Sequence, residues 1–150
     1  MDRFDYLILK ELQKNAKISI AELGRKINLS TTATKERVKK LEQEGVILEY
    51  ATLVSPQKVN KSITAFITVP AGDVSVREMG NLLIAMPDVV ECHKVTGNAC
   101  FLIKVRTKDM EELEHFVDQI NQFARNTYTY LVLSTNKEST EINLNRMEIE

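Results

Sequence analysis

Small hydroxyls followed by cations occupy one stretch of this chain: Thr31, Thr32, Lys35 and Lys39. At 3.6 residues per turn they share a helix face, turned away from Val38 and Leu41. Short side chains at the amino end of such a helix allow close approach to the floor of a major groove, and lysines further along meet phosphate oxygens or guanine. Between Lys14 and Lys40 eight Lys and Arg stand against two Glu, a local charge of +6. A field of that sign attracts a polyanion and gains from the counterions it releases. The whole chain carries only -1, with +2 in residues 1–50 and -3 in residues 51–150, so the basic character is local to the amino-terminal third.

The other reactive side chains are sparse. Cys92 and Cys100 are too few for a disulfide framework, and their spacing matches no common metal motif. They read as reduced, partly buried thiols. His93 and His115 each lack a second ligand at suitable spacing, so no metal site and no cofactor are expected. The longest apolar runs, Ile63 to Val69 and Leu82 to Met86, fall far short of the roughly 18 residues a membrane span needs. The first residues lack the pattern of a secretory signal, and the expected location is the cytoplasm.

Three amphipathic segments position the basic face. Phe4, Leu7, Ile8 and Leu12 mark a first helix over Asp2 to Asn15. The string Ser19-Ile20-Ala21-Glu22 has the form of a capping box and starts a second, short helix on Ile20, Leu23 and Ile27. Asn28 suits a left-handed end cap and Ser30 a fresh N-cap. The third helix, Thr31 to Glu44, turns Thr34, Val38 and Leu41 to the core and stops at Gly45. Short helices joined by a tight turn behind a longer one make a helix-turn-helix unit of the winged-helix-like kind.

Val46 to Val54 reads as a strand closed by Ser55-Pro56. Beyond it come a strand at Ile63 to Val69, a helix at Ser75 to Met86, strands at Val89 to Thr96 and Ala99 to Arg106 joined at Gly97-Asn98, a helix capped by Asp109, and a strand at Thr127 to Ser134. This β-α-β-β-α-β order predicts a ferredoxin-like domain, and the fold class is α+β. The domains are thus a helix-turn-helix in residues 1–50, a linker in 51–62 and the ferredoxin-like domain in 63–150.

Two helices cover only one face of a four-stranded sheet, yet both alternating sets of its strands are apolar: Ile63, Ala65, Ile67 and Val69 against Thr64, Phe66 and Thr68, and Phe101, Ile103 and Val105 against Cys100, Leu102 and Lys104. Pattern alone does not say which set lies under the helices. The uncovered set asks for a second copy of the domain, and a homodimer also suits recognition helices spaced about 34 Å apart on duplex DNA. The tail from Asn136, with Ile142, Leu144 and Ile149, reads as an extra strand or a packing arm.

These residues together resemble the Lrp/AsnC (feast/famine) family of transcriptional regulators. Asp2 to Leu9 is similar to the family's opening helix, Ala21 to Gly24 and Leu29-Ser30 through Glu36 to Ile47 to its helix-turn-helix, and Val95-Thr96-Gly97 before Phe101 to Val105 to its effector-domain hairpin. The resemblance reaches to about Ser134. It implies a sequence-specific regulator that binds double-stranded DNA as a homodimer, with dimers assembling to tetramers or octamers. It places the DNA contacts on Ser30, Thr31, Thr32, Thr34, Lys35 and Arg37, to which the helical face adds Lys39. It places a small-molecule effector, commonly an amino acid, at Gly97, Asn98, Ala99 and Cys100. Where amino-acid-responsive members resemble one another in acidic residues around the hairpin, this chain has Asn98 and Cys100; an amino acid, another small molecule and no effector at all stay open.

Two other functions meet the same residues. Some relatives of the fold resemble haem-pathway decarboxylases, whose polycarboxylate substrate needs a cationic pocket; a carboxyl-terminal region of net charge -3 with four arginines, Arg77, Arg106, Arg125 and Arg146, does not suggest one, and no enzyme is expected. An architectural, DNA-wrapping protein of low sequence specificity is the alternative. The absence of Asn, Gln or Arg before Arg37 on the exposed helix face gives it some support.

Overall fold

The computed structural model describes residues 1–144. They form two compact units, Met1–Leu53 with the tail from Lys137, and Val54–Asn136.

The first unit has three helices: α1 (Arg3–Lys14), α2 (Ile20–Ile27) and α3 (Thr31–Gln43). Each begins on a side-chain cap that satisfies amides the helix itself cannot. Asp2 and Asp5 form a reciprocal capping box on α1, and Ser30 accepts from the Ala33 amide on α3. On α2 only the serine half of the expected box is made, Ser19 Oγ accepting from the Glu22 amide at 3.2 Å. Asn28, at φ 58°, closes α2 in the left-handed conformation expected of it. Ile8, Ile18, Leu23, Ile27, Val38 and Leu41 make the core, ringed by Leu7, Leu12, Leu29 and Ile47. Full burial of side chains of this kind contributes roughly 1.5–3 kcal/mol each.

Val46 to Val54 does not form the expected strand. The Val46 and Ile47 amides turn back to the Leu41 carbonyl at 2.9 and 3.1 Å, Tyr50 Oη donates to Glu42 at 2.7 Å, and Leu48 and Leu53 stand more than 80% exposed. The β-branched composition is right, but no described strand offers this segment a ladder, and strand propensity without a partner does not make a strand. The tail from Lys137 groups with the helical unit, as a packing arm would. The Gln13 amide exchanges two hydrogen bonds with the Ile142 backbone, at 2.7 and 3.1 Å. Arg146 and Ile149 lie outside the described residues.

The second unit carries the β-α-β-β-α-β order: β1 (Ile63–Val69), α4 (Val76–Ala85), β2 (Val89–Lys94), β3 (Phe101–Thr107), α5 (Met110–Asn121) and β4 (Tyr128–Leu131). The antiparallel sheet runs β2-β3-β1-β4. Ser75 and Asp109 cap the two helices. Ala65, Ile67, Val69, Phe101, Ile103 and Val105 pack beneath Met79, Leu83, Leu113, Phe116 and Ile120, which decides between the two alternating sets. Gly80 lets this layer close, since a Cβ there would sit 3.1 Å from the Phe101 ring. Leu82 and Met110, on the apolar patterns of their segments, point outward at 39% and 53% exposure.

Candidate nucleic-acid interface

The face that could meet DNA is built by the α2–α3 turn. Gly24 packs so closely on the start of α3 that a Cβ would fall 2.8 Å from the Leu29 carbonyl oxygen and 2.9 Å from Thr34 Oγ1. The turn is therefore tight, and Thr31, Thr32, Lys35 and Lys39 stand exposed on the outer side of α3. Ser30 is exposed too, with its Oγ engaged as the cap.

Two of the seven residues expected to touch DNA lie elsewhere. Thr34 is fully buried and its hydroxyl donates to the Ser30 carbonyl at 2.8 Å, so it is a core residue and not a groove contact. Its helical spacing puts it beside Val38 and Leu41; only the family resemblance, carried over residue by residue, assigns it to the groove. Arg37 points toward the start of α1, where Nη1 lies 2.8 Å from both Asp2 Oδ2 and Asp5 Oδ1 and the guanidinium sits 5.5 Å from the Phe4 ring centre. The bonds to Asp5 and then Asp2 raise its pKa further. Sequence reasoning missed this cluster, although an Asp at the N-cap and another three residues on was a visible signal of a capping box.

Ion pairing sorts the basic field further. Lys14 and Lys26 both bind Glu11, at 3.0 and 2.8 Å, and Lys40 lies 3.8 Å from Glu44. Among the described residues Lys17, Arg25, Lys35 and Lys39 make no ion pair, and Lys35 and Lys39 are the two on the outer face of α3. Two of these four uncompensated cations thus lie on the hydroxyl-lined face.

In the sheet unit the β2–β3 connection is longer than the two-residue turn expected at Gly97-Asn98. Residues 95–100 form the loop, closed by the Val95 amide on the Cys100 carbonyl at 3.0 Å and tied to β1 by the Cys100 amide on the Val69 carbonyl at 2.9 Å. Gly97 takes φ 111°, which other residues rarely adopt. Gly97 and Asn98 are exposed, Ala99 and Cys100 half-buried. Cys92 and Cys100 are both free thiols, and burial raises the Cys92 pKa. No group of three His, Cys, Asp or Glu converges on a metal position among the described residues, and no described helix is long and apolar enough to cross a membrane.

On the sheet face away from the helices, β1 contributes Thr64, Phe66 and Thr68, and β3 contributes Leu102, Lys104 and Arg106. Register adds Glu91 and His93 from β2 and Tyr128 and Tyr130 from β4. Lys104 is only 7% exposed even here: its ammonium lies 3.2 Å from Glu91 Oε1 and 5.8 Å from the Phe66 ring centre.

Residues 1–47 match the winged helix-turn-helix DNA-binding model, and residues 64–142 match the Lrp/AsnC ligand binding domain. The HTH-type transcriptional regulator FL11 of Pyrococcus furiosus is 32% identical over 144 residues, 95% of each chain. The leucine-responsive regulatory protein of Escherichia coli is 34% identical over 148 residues, covering 95% of this chain and 90% of the relative. Among solved structures, an AsnC family transcriptional regulator from Agrobacterium tumefaciens superposes with TM-score 0.91 at 29% identity, over 98% of this chain and 99% of that one. The transcriptional regulator NMB0573 of Neisseria meningitidis, in complex with L-methionine, superposes with TM-score 0.90 at 30% identity and the same coverage. With both halves matched in order along nearly the whole chain, this protein belongs to the Lrp/AsnC family of DNA-binding transcriptional regulators.

Proposed function

We propose that this regulator lays the outer face of α3 in the major groove, with Thr31 and Thr32 toward the base edges and Lys35 and Lys39 toward phosphates. The observation that carries this is that, among the described residues, Lys35 and Lys39 on α3 have no carboxylate partner, as Lys17 and Arg25 outside α3 have none, while Lys14, Lys26, Arg37 and Lys40 are compensated within the helical unit. A cation already paired gives up its partner before it binds phosphate; an unpaired one releases only solvent and counterions.

Two copies act together in this reading. Among the described residues no layer covers the sheet face bearing Phe66, Leu102 and the two tyrosines, and a homodimer through it brings two α3 helices to one duplex. The loop at Gly97, Asn98, Ala99 and Cys100 is the proposed effector site. The L-methionine complex of the Neisseria regulator supports an amino acid as its ligand class. Asn98 supplies neutral hydrogen-bonding groups there in place of a charge.

The test is fluorescence anisotropy on a mixed-sequence duplex at several salt concentrations. Lys35→Ala flattens the dependence of log K on log salt by about 0.9, the share of the one phosphate that the lysine neutralises. An unchanged slope contradicts the placement of Lys35.

A further inference from the structure

Arg37 sits on α3, the helix proposed to meet DNA, yet its half-buried guanidinium turns Nη1 to two carboxylates of the protein itself. All four carboxylate oxygens of Asp2 and Asp5 belong to one closed set of bonds. Asp2 Oδ1 accepts the Phe4 and Asp5 amides at 2.9 and 3.1 Å, Asp5 Oδ2 accepts the Asp2 amide at 2.8 Å, and the two remaining oxygens take Arg37 Nη1 at 2.8 Å each. Asp5 is 6% exposed, so its charge is stable there only with these partners. Arg37 lies about 200° around α3 from Lys35. The apolar stripe of Thr34, Val38 and Leu41 holds α3 along one side; the ionic contact adds a second, directional hold on its flank.

We infer that Arg37 is a positioning residue for DNA binding: it latches the capped amino end of α1 to α3 and fixes the angle at which α3 presents Lys35 and Lys39. This rests on the proposed role of the α3 outer face and goes beyond it, because it removes Arg37 from the contact set and makes two acidic residues favour the binding of a polyanion. The sign of the effect separates the latch from a direct contact. If Arg37 met phosphate, removing the negative charge of Asp2 or Asp5 would strengthen binding. The latch requires the same changes to weaken it.

The experiment measures affinity and salt slope on a mixed-sequence duplex for the native protein and for Arg37→Gln, Arg37→Lys, Asp2→Asn and Asp5→Asn. Helix content is followed by circular dichroism at the assay temperature. Asp2→Asn keeps a good N-cap while losing the charge, so it stays informative even where Asp5→Asn unfolds. The latch predicts binding about three- to tenfold weaker in all four, with the native salt slope, and a double Arg37→Gln, Asp5→Asn variant no weaker than either single one. Arg37→Lys keeps the charge but reaches only as a point donor, and it does not rescue. Tighter binding by Asp2→Asn, a slope flattened by about 0.9 in Arg37→Gln, or full rescue by lysine overturns the latch and leaves the α3 reading standing. Failure of the native protein to bind the duplex at all overturns both.

Discussion

Gly24 and Thr34 touch without room for a methyl group between them: a Cβ on Gly24 would lie 2.9 Å from Thr34 Oγ1 and 2.8 Å from the Leu29 carbonyl oxygen. One obstacle is backbone and the other is a fully buried, hydrogen-bonded hydroxyl, so neither moves cheaply. Gly24→Ala raises helix propensity but overfills this space. We expect a net destabilisation of about 1–3 kcal/mol, read by chemical denaturation of the helical unit. An equal or more stable variant contradicts the tight turn.

Phe66 and Ile67 are adjacent in sequence and opposite in consequence. Ile67 is fully buried under the helices, whereas Phe66 lies on the uncovered face beside Lys104. Phe66→Asp should therefore leave the fold intact and shift sedimentation toward the monomer, while Ile67→Asp should unfold the sheet unit. Unaltered sedimentation of a folded Phe66→Asp protein argues against a sheet-face dimer.

Glu112 links acid stability to the linker. Its carboxyl is held below its ordinary value of 4.5 by the Lys108 backbone amide first and by Lys61 second. Lys61 Nζ also reaches Asp88 at 2.7 Å, joining the chain two residues past the short turn Pro56–Val59 to the turn that leads into β2 and to α5. A group whose folded pKa is depressed stabilises fully above its unfolded pKa and loses that contribution as pH falls through the folded one. Glu112→Gln should therefore differ from the native protein most above pH 4.5, and the two denaturation curves should converge as the solution is acidified below it. Divergence on acidification contradicts the assigned bonds.

Local signals are the ones that composition and spacing can carry. Ser19, Asn28, Ser30 and Gly45 punctuate the helices where the pattern puts them, because caps and left-handed residues act on their own neighbours. The β-α-β-β-α-β order is legible for the same reason. What escapes depends on contacts distant in sequence. Arg37 and Asp2 are thirty-five positions apart, and no periodicity joins them. Val46 to Val54 has strand residues without a described strand beside it, and β1 and β3 are apolar enough on both sides that only the finished layer of helices shows which side is inner. Thr34 is the instructive case at the site, since its own helical spacing points inward and is correct.

The most direct measurement places a photo-reactive benzoylphenylalanine at Thr32, on the exposed face of α3, and at Tyr130, on the sheet, and irradiates each protein with duplex DNA. The account predicts crosslinks to bases from position 32, abolished at high salt, and none from position 130. Crosslinks from position 130 with none from position 32 would contradict it.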